Sequence, residues 1–502
     1  MRSYNTLGFF LFASISGGWA QQQRPNILFV ISDDQSYPYA SAYGSKMVET
    51  PAFDWVAENG CLFTNAFVTS PGSSPSRASI LTGKYPWQIA EAGTHFSDFP
   101  VEYVCFPDML KDAGYKIGCT GKGWGPGNSG KRPYNPAGPG YNKAKLKPPY
   151  SGISNIDYAE NFRLFMEEKV DGEPFYFWYG ATEPHRDFEQ NAWKKEGKSL
   201  EQAEVPGFLP ESDVIKGDLL DYAVEIEWFD AHLQKMLELL REKGELENTI
   251  IVVTADNGMA FPSAKANCFE FGTHVPLAIY WGKEIPANLV VEEVTSTVDL
   301  APTLLEAAGV KRTVYKGMSG KSMLSVLKGK AKQKEAVAFS GRERHGSARY
   351  DNWGYPVRAM RTGEYLYIRN FHPERWPAGD PCRLNPDGSM GEMHNGYGDI
   401  DPCPSKTFLI ENRNNPLVYP YFLKAVSKRP YEELYRIVGD PACLENLVGK
   451  SDYAAVLKKM RNELDKMMKE TKDTRNVMVG DKELWETYPR RADIKKFPKP
   501  LF

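Results

Sequence analysis

Two stretches of the chain are apolar without alternation and then end in acids. Residues 24–34 run through Ile27, Leu28, Phe29, Val30 and Ile31 to Asp33 and Asp34, and residues 249–257 run through Ile250 to Val253 and on to Asp256 and Asn257. A strand covered on both faces has this pattern, because neither set of alternating side chains meets water. Residues 174–180 and 276–281 are further strands of the same kind. A helical period runs through 219–241, carried by Leu220, Val224, Ile226, Phe229, Leu233, Met236, Leu239 and Leu240, and a shorter one through 299–308. Strands alternating with helices predict an α/β fold with a large, mainly parallel sheet flanked by helices. In such sheets binding groups collect beyond the carboxyl ends of the strands, where both acidic pairs lie.

The texture changes near residue 355. Residues 357–369 read as a hairpin turning at Thr362 and Gly363, residues 372–430 as a long irregular stretch rich in Pro, Gly and Asn, and 453–469 as a charged helix. The expected organisation is a large unit over 24–354 and a smaller C-terminal α+β unit with an antiparallel sheet over 355–502. At the other end, Arg2, the apolar run 7–16 and the small residues up to Ala20 read as a secretory signal over 1–20. The apolar run is too short for a membrane span, and no later segment qualifies as one, so the mature protein is expected to be exported. An oxidising compartment permits disulfides, and Cys382 and Cys403 flank a loop that a bridge would close.

Composition narrows the function. The chain has 502 residues, with 61 Lys+Arg against 64 Asp+Glu, a net charge of −3 that gives no global basic field for nucleic acid. Seven cysteines are too few for a disulfide scaffold. Aromatics at 13% suit pockets lined with Trp and Tyr. Asp33, Asp34, Asp256 and Asn257 are hard oxygen donors, and their convergence would suit Ca²⁺ or Mg²⁺ rather than zinc.

The segment 73–83 reads Ser-Ser-Pro-Ser-Arg-Ala-Ser-Ile-Leu-Thr-Gly. It resembles the type I sulfatase signature, in which Cys or Ser is followed by x-Pro-x-Arg, four residues, then Thr-Gly. The resemblance covers most of 24–310 and, more loosely, the rest. It implies an alkaline-phosphatase-like fold. It also implies that Ser73 is oxidised to formylglycine, whose hydrated gem-diol attacks sulfur and then expels sulfate. A divalent cation, Ca²⁺ or Mg²⁺, would be held by Asp33, Asp34, Asp256 and Asn257 together with residue 73. Arg77 would steady the diol. Lys122, in Gly121-Lys-Gly-Trp124, and Lys265 match the family's sulfate-binding lysines. His185, in Glu183-Pro-His185, matches the histidine that protonates the leaving group. The family usually has a histidine where this chain has Trp124, so His95 or His345 would have to supply that imidazole, or the carboxylates would suffice.

Residues 256–267 and 183–187 resemble the sulfamidase branch, heparan N-sulfatase and its bacterial relatives acting on sulfated polysaccharides, so the cleaved bond is S–O or S–N. Arg342, Arg344, His345 and Arg349, with Tyr350 and Trp353, form a basic and aromatic cluster, and with His95 and Trp124 they make up the expected substrate-binding set. The cluster fits either a glycan-selecting rim or a domain-interface strand. Serine at position 73 implies a serine-type sulfatase-maturating enzyme as partner and a bacterial source. The chain carries no Asn-x-Ser/Thr sequon, and the expected destination is the periplasm or the outside. Two other readings stay open: a phosphatase or phosphodiesterase of the same superfamily, and a catalytically silent glycan-binding homologue in which Ser73 is never oxidised.

Overall fold

The structure is a computed structural model that describes residues 24–332, 336–477 and 484–500. The signal expected over 1–20 lies outside the described residues. No helix among the described residues is long and apolar enough to cross a membrane.

The twelve strands among the described residues are β1 (Asn26–Ser32), β2 (Cys61–Phe67), β3 (Lys116–Gly121), β4 (Phe175–Gly180), β5 (Thr249–Ala255), β6 (His274–Tyr280), β7 (Leu289–Val291), β8 (Thr295–Ser296), β9 (Ala338–Arg342), β10 (Val357–Arg361), β11 (Tyr365–Asn370) and β12 (Glu432–Arg436). The first eight form one sheet in the order β3-β4-β1-β5-β6-β2-β7, with β8 beside β2. β1 lies between β4 and β5 and is parallel to both; only β6 runs against its neighbours β5 and β2. Alternation along β1 explains its unbroken apolar run. Ile27, Phe29 and Ile31 enter one core with Ala78, Ile80, Leu81, Trp178 and Leu304. Leu28 and Val30 enter the opposite core with Phe162, Phe177, Phe229 and Leu233. Each such side chain contributes about 1.5–3 kcal/mol by leaving water.

The long helix Asp213–Glu242 covers the second of these faces. Ser212 caps it, its side chain accepting from the Ile215 N–H at 3.2 Å. This cap lets the helix start six residues before the apolar period at 219 makes it visible in the sequence.

β12-β11-β10-β9 form a second, antiparallel sheet. The hairpin at Thr362 and Gly363 is present, with Arg361 opposite Leu366. The sheet packs Phe339, Met360, Tyr367 and Leu434 against Leu457, Met460, Leu464 and Met468 of the helix Ala454–Glu470. Two details differ from the sequence reading. The second sheet starts at Ala338 with β9, ahead of the texture change near 355. The stretch 372–430 is not irregular throughout: it holds helices Pro404–Glu411 and Tyr419–Val426. Both are short, and each has Pro in its first turn, so their composition looks like that of a loop. The seven cysteines are all free. Cys403 is not bridged to Cys382; its sulfur accepts from the Lys406 N–H and caps the helix Pro404–Glu411.

Candidate functional site

The register of β1 on β5, Ser32 opposite Ala255, delivers Asp33 and Asp256 side by side at one sheet end. Asp33, Asp34, Asp256 and Asn257 are all buried. Asp34 has a left-handed backbone (φ 74°), and its N–H donates to Asp256 Oδ1 at 3.0 Å. Carboxylate oxygens of Asp33, Asp34 and Asp256 lie within 4.8 Å of one another. Asn257 Nδ2 donates to Asp34 Oδ1 at 2.6 Å.

Ser73 opens the helix Ser73–Thr82, every residue of which is buried. Its hydroxyl donates to Asp33 Oδ1 at 3.0 Å and lies 3.4 Å from Asn257 Oδ1. One turn on, Arg77 Nε donates to Asp256 Oδ2 at 2.6 Å, and Nη1 donates to the carbonyls of Lys122 and Gly123. Arg77 Nη2 is buried without a hydrogen-bond partner, 3.9 Å from Asp33. Lys122, just past β3, reaches Asp33 Oδ2 at 2.5 Å and Ser73 Oγ at 3.1 Å. Lys265 Nζ donates to Asp34 Oδ2 at 2.6 Å and Asp401 Oδ2 at 3.0 Å. His185 follows β4; its Nε2 is 3.8 Å from Asp34 Oδ2 and its Nδ1 is 2.6 Å from the Arg186 carbonyl.

The charges set one another. Burial alone would raise the Asp33 carboxyl, but Lys122, His185 and Arg77 hold it well below the usual carboxylate range. For Asp256 burial wins over Arg77, and the neighbouring Asp33 pushes the same way, so its carboxyl sits above its ordinary value. Burial would lower Lys265, yet Asp34 and Asp401 hold its ammonium far above its ordinary value. Three carboxylates around one point, met by two ammonium groups and a guanidinium, are a donor set for a hard divalent cation. Hard oxygen donors dominate it and no thiolate enters it, so Asp33, Asp34, Asp256 and Asn257 fit such an ion.

The site opens into a cleft of about 390 Å³ lined by Ser73, His95, His185, Lys265, His345 and Asp401, among others. His95 Nδ1 is 3.2 Å from Ser74 Oγ, and its ring stacks on His345 at 4.5 Å. A Cβ at Gly72 would fall 2.8 Å from His345 Nδ1, so glycine there lets His345 pack against the start of the Ser73 helix. Burial, with Lys265 and Arg342 nearby, pushes the His345 imidazole down to about 3.

Four residues of the expected substrate set do not line this cleft. Arg342 and Arg349 are buried and both hold Asp399; Arg342 also takes the Ala266 and Pro377 carbonyls, and Arg349 those of Trp376 and Pro377. Arg344 holds the Tyr488 and Pro489 carbonyls. Trp124 is buried against Phe99 and donates from Nε1 to the Ser74 carbonyl at 3.0 Å. A guanidinium with backbone carbonyls to satisfy is drawn inward, which a count of basic residues does not reveal. Conversely, Asp401 was not among the residues read from sequence. It reaches Lys265 from a loop with no periodic pattern, and the adjoining Pro402 was the only local signal.

The sulfatase family model matches residues 25–310, and a second model, the C-terminal part of N-sulphoglucosamine sulphohydrolase, matches 264–399. An ulvan-active sulfatase of Formosa agariphila is 27% identical, the match covering 94% of this chain and 80% of the relative. Human N-sulphoglucosamine sulphohydrolase is 24% identical over 91% of this chain and 92% of its own. A solved structure of a protein in complex with its substrate D-glucosamine-2-N,6-O-disulfate has the same fold, with a TM-score of 0.62, 20% identity and coverage of 90% of this chain and 98% of the other. With its family model spanning more than half its length, the chain belongs to the sulfatase family.

Proposed function

We propose that the protein hydrolyses a sulfate ester, or a sulfamate, on a sulfated glycan, with residue 73 as the nucleophile after oxidation to formylglycine. The observation that carries this is the placing of Ser73 Oγ at a helix start, 3.0 Å from Asp33 and 3.1 Å from Lys122 Nζ. Hydrated formylglycine supplies a hydroxyl to attack sulfur and a second hydroxyl whose deprotonation lets sulfate go, a release that plain serine does not offer. Ca²⁺, with Mg²⁺ as the substitute, would be held by Asp33, Asp34, Asp256, Asn257 and residue 73, and supplies positive charge for the nucleophile and for a sulfate oxygen.

The chain's own residues do the rest. Lys122 and Lys265 put two ammonium groups over the carboxylates, where the oxygens of a bound sulfate meet them; preorganised charge of this kind lowers the barrier without reorganisation. Arg77, fixed by Asp256 and two carbonyls, keeps Nη2 free toward Asp33. His185 is more open than its neighbours, with a 38% exposed side chain. Its Nδ1 is tied to a carbonyl, which leaves Nε2 on the cleft side to hand a proton to the leaving oxygen or nitrogen. The glycan class rests on relatives whose names include ulvan-active sulfatase and N-sulphoglucosamine sulphohydrolase. Export to the periplasm or beyond, and a serine-type maturating enzyme as partner, complete the proposal.

The test is to co-produce the full chain with a serine-type maturase and examine the Ser73 peptide by mass spectrometry. Turnover of 4-nitrophenyl sulfate is then compared with that of 4-nitrophenyl phosphate. Oxidised Ser73 with preferred sulfate hydrolysis is expected. Preferred phosphate hydrolysis would overturn the reading in favour of a phosphatase, and an unmodified, inactive protein in its native host would leave a silent binding homologue.

A further inference from the structure

Of the cations on the cleft wall that the chemistry above does not use, Lys406 is spent on the Gly396, Tyr397 and Ile400 carbonyls, which leaves Arg383, Arg490 and Lys495. Arg383 lies about a hundred residues before the other two, and they are gathered by the segment 484–500, which crosses the loops of the first sheet. Arg344 anchors this segment through the Tyr488 and Pro489 carbonyls at 2.9 and 3.0 Å. The Arg491 N–H donates to the Phe96 carbonyl at 2.6 Å, and the Arg491 side chain pairs with Asp98. The Lys495 N–H donates to Ser347 Oγ at 2.9 Å. The Leu384 N–H donates to the Lys496 carbonyl at 2.8 Å, joining the Arg383 loop to the segment.

These cations are short of counter-charge. Arg490 lies 4.8 Å over the Phe96 ring and, among the described residues, donates only to the His345 carbonyl, at 3.3 Å. Its Nε is buried with no partner. Among the described residues the Arg383 side chain has neither a hydrogen bond nor an ion pair. Lys495 has Asp493 at 3.8 Å, an aspartate whose side chain is 93% exposed. The other acid lining the cleft, Asp401, is held by Lys265. A half-buried guanidinium with an orphaned N–H is costly unless a ligand completes it. The wall is also close to the reaction: the carbonyl that Arg490 holds belongs to His345, which packs against Gly72 beside Ser73.

We infer that the cleft takes a saccharide carrying a second sulfate besides the one cleaved, and that Arg383, Arg490 and Lys495 receive it. This rests on the reading that the Ser73 end accepts a sulfate ester. Lys122 and Lys265 serve the first sulfate and cannot serve another. A tetrahedral sulfate offers three outward oxygens to cations on several sides, where a carboxylate would be completed by one arginine fork.

A sugar-independent probe tests this: selenate, isosteric with sulfate and visible by anomalous scattering. Crystals of the full chain with unmodified Ser73 are soaked in selenate, and the same protein is titrated with inorganic sulfate in solution. Two selenates are expected in the cleft, one at Lys122 and Lys265 and one on Arg383 and Arg490, with two sulfate equivalents in solution. Arg383→Gln and Arg490→Gln should each lose the second peak and one equivalent. Arg383 has no bond to lose, so Arg383→Gln keeps the test valid if Arg490→Gln disturbs the segment. An empty arginine wall, a second peak that survives both changes, or selenate found only as an adventitious ion away from these side chains would overturn the inference. If matured enzyme hydrolyses 4-nitrophenyl sulfate and the arginine wall stays empty, this inference alone falls. If the wall fills but no aryl sulfate is hydrolysed, the sulfatase reading falls instead.

Discussion

Two clusters of buried ions, adjoining through Lys265 and Ala266, answer to different demands. Around Asp399, the guanidinium groups of Arg342 and Arg349 share one carboxylate, and the Gly346 N–H donates to its other oxygen at 2.7 Å. Burial alone would raise Asp399, but the two arginines hold it well below the carboxylate range. Each arginine is also spent on backbone carbonyls, and neither reaches the cleft. Around Asp33, Asp34 and Asp256 the charges are equally buried, and Arg77 Nη2 is unpartnered as Arg342 Nε and Arg349 Nη1 are, but Lys122 stays 17% exposed and Lys265 lines the cleft. The first cluster lies off the cleft and ties the loop at 376–399 to β9. The second opens on the cleft through Ser73, His185 and Lys265, which is what a ligand site requires. Neither burial of charge nor an orphaned N–H separates the two; access to the cleft does.

The largest effect that tests this contrast is on the cluster that opens on the cleft. Ser73→Ala should reduce sulfate hydrolysis on the order of 10⁴-fold or more with little change in Tm, measured on matured protein by aryl sulfate turnover and calorimetry. A comparable loss of stability would break the comparison. Asp399→Ala should do the opposite, costing about 3–5 kcal/mol in denaturant unfolding by leaving two buried guanidinium groups unpaired. Adding Ca²⁺ to chelator-treated protein at about 100 times its Kd should stabilise it by about 2.7 kcal/mol. Asp34→Asn should abolish that Tm shift, whereas Arg349→Lys should leave it in place.

The last test concerns a buried group kept neutral. Burial, with Lys235 nearby, pushes His232 down to about 4, below its ordinary 6.5. The unfolded chain therefore takes the proton first. The stability from this group is complete above about 6.5 and is lost as pH falls toward 4, at about 1.4 kcal/mol per pH unit. His232→Gln should flatten that part of the acid-unfolding curve, while the Asp399 cluster, whose carboxylate titrates lower, should be unaffected over the same interval.

Much of the floor of the site was legible in the sequence. The runs before Asp33 and Asp256 mark strands covered on both faces, and parallel pairing then puts their ends together. The Ser73 segment carries its own pattern. The basic cluster 342–349 was not legible, because composition does not say which way an arginine points. Arg342 ends β9 in a sheet whose strands are buried, and Arg349 follows a loop that folds onto Asp399. Asp401, Arg383 and Arg490 were missed for a related reason: each reaches the cleft by a loop or an extended segment with no period. The helices at Pro404–Glu411 and Tyr419–Val426 were hidden by their Pro-rich surroundings.

The segment 484–500 has a consequence for the order of events during synthesis. The floor of the cleft comes from residues 33–34, 73–77, 122 and 256–265, but Arg490 and Lys495 leave the ribosome after all of these. A nascent chain can thus assemble the reacting end while its far wall is missing; since Ser73 is only 1% exposed once folded, the maturation proposed above would have to precede the end of that assembly.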